Sequence, residues 1–295
     1  TANALADVVS GSGHITVLAA KDVTFGSGAD IRTSTNGTID VEATSGNITM
    51  DAASLFTTSG SAGDIRLKAG TNVVVGDIVN GSGDVSIIAA AGSITDADAL
   101  VGGSNDSDID VTSSGLRLEA GIGIGGTVNH LETEVGTVSA RATSGGIYLL
   151  EKDAVSVGDV SVTTNRVASD ASTSTTNSSD AAQSDIVTTS GNGNIVLRTS
   201  SGDITLNDGT ASTSGSGVTG QLLNVSGIAV SANRSGNILL EAIGSGTSIT
   251  ANALADVVSG SGNITVLAAK DVTFGSGADI RTSTNGTIDV EATSG

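Results

Sequence analysis

The sequence contains no cysteine, no proline and no tryptophan, and aromatic residues make up only 1% of its 295 residues. Without cysteine, no disulfide can staple the fold. Compact globular cores depend heavily on aromatic side chains, so an interior built from these residues must be narrow and aliphatic. The chain also lacks any run of about 18 apolar residues, the length that a membrane-spanning helix requires. We therefore expect no membrane span.

Basic residues are scarce as well. The 12 lysines and arginines stand against 31 aspartates and glutamates, which gives a net charge of −19. Binding to the phosphates of nucleic acids requires clustered positive charge, so no nucleic-acid partner is expected. The same deficit argues against adsorption to anionic lipid. A surface this acidic favours solubility and offers carboxylates that divalent cations can bridge.

What the chain does contain is a short hydrophobic period. Three segments, 15–17, 23–25 and 31–33, alternate apolar and polar residues, as strands with one buried face do. Glycine and serine turns separate them, and the cycle restarts at Ile39, which lies 39 − 15 = 24 residues after Ile15. A period of this length is typical of a β-solenoid coil.

We therefore predict an all-β fold, a parallel β-solenoid with about three short strands per coil of roughly 20–26 residues. Parallel crossover connections strongly favour one hand, so we expect right-handed coils. Stacking of the coils would place their inward residues over one another as hydrophobic ladders. The predicted core ladder is formed by Ile15, Val17, Val23, Phe25, Ile31, Ile39, Val41, Ile65 and Leu67.

A second, longer repeat is superimposed on the coils. Residues 1–46 recur as residues 250–295 with a single difference, and the offset is 250 − 1 = 249 residues. We expect residues 1–295 to form one continuous solenoid. In it, residues 1–249 are one long repeat unit, and residues 250–295 are the start of the next copy in a longer array.

One segment breaks the coil pattern. Residues 163–190 have few apolar side chains and no period, so we predict a surface loop that is extruded from one coil and mobile at its tip. Binding residues are often carried on loops. This loop is therefore the candidate contact site of an alternative function, a glycan- or partner-binding module.

The amino-acid sequences of the coils are similar to those of a known group of proteins. Residues 262–283 (GNITVLAAKDVTFGSGADIRTS), residues 37–50 (GTIDVEATSGNITM) and residues 131–160 resemble the coil repeats of filamentous-haemagglutinin-like adhesins and giant bacterial surface proteins. The resemblance implies a right-handed parallel β-helix, export to the bacterial cell surface, and a role as a stalk, adhesin or filament. The expected function is thus that of a structural repeat segment in adhesion or in extracellular filament formation.

Four outward positions are apolar where most coils place a polar residue: Leu18, Ile88, Leu239 and Leu267. Leu239 and Leu267 lie in consecutive coils and are expected to stack into an exposed apolar strip. Such a strip favours lateral contact with an identical rod, unless a local loop covers it. The expected partners are therefore neighbouring repeats of the same chain, identical rods aligned laterally or end to end, and a glycan or other cell-surface target.

Candidate catalytic residues are few. Carbohydrate-cleaving enzymes need paired carboxylates around the scissile bond, whereas Tyr148, His14 and His130 are isolated and far apart in this sequence. The one difference between the two copies of the long repeat replaces His14 by Asn263, so we interpret His14 as a turn residue. We predict that the chain is not an enzyme, and a carbohydrate-active β-helix is the least favoured alternative.

One acidic segment has the spacing of a calcium loop. Asp106, Asp108 and Asp110 occupy alternate positions, as the first ligands of an EF-hand do. The glycine of that loop is missing, however, and Asp110 aligns with Asp40 as an outward strand residue. Two interpretations are retained, a weak calcium site and a solvated acidic turn, and no other cofactor is expected.

Overall fold

A computed structural model describes the whole chain except residues 61–62, 99, 101–106, 213–225, 284 and 295. In this part of the chain the regular structure consists of strands. None of the described residues belongs to a helix that is long and apolar enough to cross a membrane.

The strands are short, and most of them have three to five residues. In chain order they are β1 (Val8–Val9), β2 (Ile15–Ala19), β3 (Val23–Phe25), β4 (Ile31–Ser34), β5 (Ile39–Ala43), β6 (Ile48–Met50), β7 (Leu55–Ser59), β8 (Ile65–Ala69), β9 (Val73–Val75), β10 (Asp77–Asn80), β11 (Asp84–Ala89), β12 (Ile94–Asp96), β13 (Val111–Ala120), β14 (Leu131–Ala142), β15 (Ile147–Glu151), β16 (Val155–Val157), β17 (Val160–Thr163), β18 (Arg166–Val167), β19 (Thr173–Ser174), β20 (Ser179–Gln183), β21 (Ile186–Thr188), β22 (Ile195–Thr199), β23 (Ile204–Leu206), β24 (Ala211–Ser212), β25 (Ser226–Ala232), β26 (Ile238–Ala242), β27 (Ile249–Ala251), β28 (Asp256–Ser259), β29 (Ile264–Ala268), β30 (Val272–Phe274), β31 (Ile280–Thr282) and β32 (Ile288–Ala292).

Three parallel ladders run through the first half of the chain. The first joins β2, β5, β8, β11 and the end of β13. The second joins β3, β6, β9 and β12, and the third joins β1, β4, β7, β10 and the start of β13. Each coil contributes one strand to each ladder, so the predicted parallel β-solenoid with three strands per coil is confirmed. Its hand stays a prediction.

The interior of the rod is aliphatic, as its composition indicates. All residues of the predicted core ladder are buried except Val17, which is half-buried and packs against the core. Each full burial of such a side chain stabilises the fold by about 1.5–3 kcal/mol. Two of the three phenylalanines meet inside the first coils, where the rings of Phe25 and Phe56 pack edge to face with centroids 4.7 Å apart.

The glycine of the recurring Gly-x-Ile motif is explained by the close stacking of coils. A Cβ atom added to Gly63 would overlap the carbonyl oxygen of Gly37 in the coil beneath, and one added to Gly262 would overlap that of Gly236. No other residue type fits so close an approach of two backbones. The motif therefore marks the corner at which each coil begins its first strand.

The length of a coil depends on what it carries. Side-chain contacts between neighbouring coils span 24 residues from His14 to Thr38 and 26 residues from Asp40 to Arg66, within the predicted range. Between Asn194 and the next coil the span is 43 residues. Strands β22 and β26 nevertheless pair over five residues across this long coil.

The ladders change register halfway along the chain. Strand β14 pairs through its first residues with β15, and through its later residues with both β16 and β21. From there the ladders run β15–β22–β26–β29–β32, β16–β23–β27–β30 and β21–β25–β28–β31. The second copy of the sequence ITVLA, in β29, therefore continues a different ladder from the first copy, in β2.

Candidate functional site: a docked hairpin and its charged anchor

Residues 160–183 form a β-hairpin. Strand β17 pairs antiparallel with β20, and β18 pairs antiparallel with β19. The tip is closed by a hydrogen bond from the N–H of Ala168 to the carbonyl oxygen of Ser172 at 2.8 Å, and Ala171 takes a positive φ of 62° between them. The segment is thus ordered by its own strand pairing.

This result differs from the aperiodic surface loop that we expected for residues 163–190. The segment does lie outside the coils, but its strands pair antiparallel with each other, and Val160 and Val162 of β17 are buried. Its last part, Ile186–Thr188, is strand β21 of the rod itself. Mobility of the tip stays a prediction.

The hairpin lies against the outward side of the first ladder. Strand β17 packs against β8, β11, β13 and β14, and β18 packs against β2. Outward polar residues beneath it, such as Ser86 and Ser139, are completely buried. From its root beside β14 the hairpin therefore runs back over the preceding coils toward the beginning of the repeat.

Five charged side chains lie between the hairpin and the rod. Arg166 on β18 donates from Nε to Asp40 and from Nη2 to Glu42, both at 2.6 Å. Arg66 on β8 donates from Nη1 to Asp40 at 3.1 Å and from Nε to Asp180 on β20 at 3.0 Å. The side chain of Asp40 is fully buried and that of Arg66 nearly so. We call these five residues the charged anchor.

Burial makes each charge of the anchor dependent on its partners. Desolvation alone raises the pKa of Glu42, but the hydrogen bond and the positive charge of Arg166 outweigh it, so that the pKa is lowered overall. A carboxylate whose folded pKa is depressed contributes stability above its unfolded pKa and loses it as the pH falls. Acid therefore weakens the attachment of the hairpin.

Hydroxyl groups of the rod bind the backbone of the hairpin next to the anchor. The N–H of Asn165 donates to Oγ1 of Thr38, and the N–H of Val167 donates to Oγ1 of Thr16, each at 2.9 Å. These two donors flank Arg166: Asn165 directly precedes β18, and Val167 is its last residue. Two adjacent coils thus bind residues 165–167 through two hydroxyl groups and two carboxylates.

A second cluster of charges is purely acidic. One carboxylate oxygen from each of Asp96, Asp110 and Glu132 lies within 4.8 Å of the others. Nδ2 of Asn129 donates to Asp96, and the N–H of Glu132 donates to Asp110, both at 2.7 Å. Burial, followed by the charge of Asp96 and a hydrogen bond to it, raises the pKa of Asp110 strongly. The Asp96–Asp110 pair therefore holds a proton more readily than two separate carboxyl groups would.

The position of Asp110 corrects the alignment that we predicted. Val111 pairs with Ile78 in the third ladder, so Asp110 occupies the place of Asp30, one residue before an inward position, and not that of Asp40. Its exposed fraction is only 2%, so the solvated turn is wrong for this residue. The same three letters recur in different ladders because the excursion after β12 takes up extra residues.

The calcium prediction rested on Asp106, Asp108 and Asp110. Asp106 lies outside the described residues, Asp108 is exposed, and Asp110 is buried with Asp96 and Glu132. Calcium takes six to eight oxygen ligands, and this cluster brings three carboxyl groups together. Calcium binding stays a prediction.

The structure brings together two residues that were considered for catalysis. The rings of His130 and Tyr148 stack with centroids 6.0 Å apart, and burial lowers the pKa of His130. His14 lies on another coil, where it contacts Thr38. A groove of about 350 Å³ runs beside Tyr148, and none of the described residues that line it is acidic. The groove therefore lacks the carboxylate pair of a glycosidase, and the absence of enzymatic activity stays a prediction.

The outward leucines do not form the predicted strip. Leu239 pairs with Thr265, whereas Leu267 pairs with Glu241. The two leucines are therefore offset, and the prediction that they stack is wrong. Its cause is the run Ile238–Leu240, in which the middle residue of three apolar ones points outward.

The other two outward positions have different environments. Ile88 is 8% exposed on β11, against which β17 of the hairpin packs, whereas Leu18 is 54% exposed. A local covering thus accounts for Ile88 and not for Leu18. Lateral contact between rods stays a prediction.

Glu151 is a fully buried carboxyl that the sequence pattern did not distinguish. Its Oε2 accepts a hydrogen bond from the hydroxyl of Thr133 at 2.7 Å, and its Oε1 accepts one from the N–H of Val135 at 3.1 Å. Burial outweighs these bonds and raises the pKa to about 8. The folded state therefore holds a proton that the unfolded chain releases, so stability falls as the pH rises from about 4.5 to about 8.

We expect Glu151→Gln to reduce this loss of stability, because glutamine keeps an acceptor and does not ionise. The melting temperature, followed by circular dichroism between about pH 5 and pH 8, should decline less in the variant than in the original chain. Glu134→Gln on the neighbouring strand β14 is the control, since Glu134 is paired with Lys152 at the surface. Parallel pH profiles for the original chain and Glu151→Gln would contradict the assignment.

No family model matches this chain, and no curated protein or solved structure matches it. Its class is therefore defined by its own fold, a parallel β-solenoid that carries a docked hairpin. The resemblance to filamentous-haemagglutinin-like adhesins stays a prediction.

Proposed function

We propose that this chain is a structural rod segment of a giant exported bacterial surface protein, and that it acts in adhesion or in extracellular filament formation. The observation that carries the proposal is that both copies of the repeat pair their own strands in the same way. Strand β29 pairs with β32 in the same register in which β2 pairs with β5. A sequence repeated after 249 residues thus makes the same coil-to-coil contact again.

The mechanism is the addition of length by stacking. Backbone hydrogen bonds join each coil to the next, so each copy extends the rod by the strand spacing of about 4.8 Å per coil. Stability is a sum of neighbour contacts in such a stack. Mutual repulsion of the acidic surfaces keeps rods soluble, which suits a stalk that must reach away from the cell.

A second candidate function is favoured by one observation at the hairpin. Residues 168–177 at its tip are exposed and rich in serine and threonine. Since the rest of the hairpin is held by the charged anchor, the tip would be presented at a fixed place on the rod. A glycan or protein partner that binds there would make the segment a display module as well as a spacer.

The structural proposal is tested by measuring length against copy number. Chains with one, two and three copies of the 249-residue unit are compared by electron microscopy and solution scattering. Each copy should add a constant increment of roughly 40 Å, because the first ladder takes about eight steps of about 4.8 Å from β2 to β28. Particles that grow in all directions would overturn the proposal.

The location is tested on intact cells of the source organism. An antibody raised against residues 168–177 should label the surface of unbroken cells. Labelling that requires permeabilised cells would contradict an exported role.

A further inference from the structure

The surface that receives the hairpin is present twice in the chain. We call its first copy the first docking face, which consists of Thr16, Thr38, Asp40 and Glu42 and binds residues 165–167. The same four side chains recur 249 residues later as the second docking face, which consists of Thr265, Thr287, Asp289 and Glu291.

The two faces share their geometry as well as their residues. Thr16 pairs with Asp40 across the first two coils, and Thr265 pairs with Asp289 in the same way. In both copies the glutamate pairs with a leucine two positions further along the strand. The hydroxyls and carboxylates therefore have the same relative placement in the second face as in the first.

The single difference between the copies preserves the function of one hydroxyl. In the first copy, Nδ1 of His14 accepts a hydrogen bond from the N–H of Thr38 and lies 3.1 Å from its Oγ1. In the second copy, Oδ1 of Asn263 accepts bonds from the N–H and from Oγ1 of Thr287, both at 3.0 Å. Either way the threonine hydroxyl gives its proton to the preceding coil and keeps lone pairs for an N–H of the hairpin.

The two faces differ in occupancy. Asp40 is fully buried beneath the hairpin and paired with two arginines. Asp289 and Glu291 are exposed, and no ion pair joins either of them to another described residue. The only hairpin of this sequence in the chain is bound to the first face.

We propose that the second docking face binds a hairpin with the sequence of residues 160–183, supplied by a further copy of the repeat placed after Gly295 in the same polypeptide. The charges are complementary, because such a hairpin brings one arginine and two N–H donors to two carboxylates and two hydroxyls. The direction also fits, since the first hairpin runs back from its root over the preceding coils. A hairpin of a separate molecule would have to leave its own docking face first.

The consequence is a strap that fastens each repeat to its own beginning. A simple solenoid is held by contacts between neighbouring coils. The hairpin instead joins β2 and β5 to β14 across the coils between them, so the coils it spans must open together. This inference rests on the proposed function in taking the repeat as a stacking unit.

The test is a tandem chain in which residues 47–249 are added after Gly295, since Gly295 repeats Gly46. Hydrogen exchange measured by mass spectrometry should show that the second hairpin is protected to the same degree as residues 160–183. The double variant Asp289→Asn, Glu291→Gln should speed exchange in the second hairpin alone, by about tenfold or more, because a charge-assisted contact is lost. In the 295-residue chain the same double variant should change nothing.

The matched control is Asp40→Asn, Glu42→Gln in the tandem chain, which should release the first hairpin and leave the second one protected. A second hairpin that exchanges as fast as the exposed tip, above protected new coils, would overturn the docking and leave the rod intact. So would a protected hairpin that ignores the substitutions in the second face. New coils without any protection would overturn the stacking repeat itself, and with it both proposals.

Discussion

Asp40→Ala is expected to lower the free energy of unfolding of the first coils by about 3–5 kcal/mol, the usual cost of removing one partner from a buried ion pair. Asp40 has no exposed side-chain surface, and it accepts hydrogen bonds from both Arg66 and Arg166. Its removal leaves Arg66 buried with a weaker set of partners and frees the inner side of the hairpin. Urea unfolding followed by circular dichroism measures the loss, and hydrogen exchange shows whether residues 160–183 open first.

The matched control for this substitution is Asp289→Ala. The surrounding sequence is the same, so changes in strand propensity are the same, but Asp289 is exposed and not covered by a hairpin. Its cost should stay within about 0.5 kcal/mol, as for most surface positions. Equal effects at the two positions would show that the charged anchor contributes nothing to stability.

The solenoid could be predicted because its determinants are local. The alternation of Ile15, Thr16 and Val17 sets which side chains enter the core, and the glycine of Gly-x-Ile sets where each coil turns. Repetition of these short signals favours a stack of coils in which equivalent residues pair. Ile15 pairs with Ile39 and Ile39 with Ile65, as a ladder requires.

The docked hairpin could not be predicted in this way. Arg166 and Asp40 are 126 residues apart in the sequence, and no periodic signal connects them. Only β17 alternates, with Val160 and Val162 buried, and the other hairpin strands carry no alternation that marks a strand. The long repeat did hold one usable signal, because Asp40 and Glu42 form a closely spaced acidic pair on one strand, and an arginine can bind such a pair through two hydrogen bonds.

The ladder shift and the acidic cluster were missed for a related reason. The letters of Ile109-Asp110-Val111 repeat those of Ile39-Asp40-Val41. Val111 nevertheless lies in the third ladder and Val41 in the first, because an excursion follows β12. Register after such an excursion is decided by which stacking buries most apolar surface, and that depends on the whole coil. Sequence similarity between short strands therefore predicts a strand, and it does not predict which side of the rod the strand occupies.

Phe25→Ala is expected to cost about 3–5 kcal/mol, the range for removal of a buried aromatic side chain. Phe25 is 3% exposed and packs edge to face on Phe56, in a core that has few other rings to fill the cavity. Urea unfolding followed by circular dichroism measures the change, with hydrogen exchange of β3 and β6 as the local readout.

The control is the same residue in the second copy, Phe274, which is 37% exposed at the last coils of the chain. Phe274→Ala removes less buried area and leaves no enclosed cavity, so its cost should remain below about 1.5 kcal/mol. In a chain extended after Gly295, the next coil would cover Phe274 as the coil of β6 covers Phe25, and its substitution should then become as costly as that of Phe25. A cost that stays low in the extended chain would mean that the copies do not stack. Stacking should bury Phe274 under a following coil, as Phe25 is buried, and the two substitutions should then have similar costs.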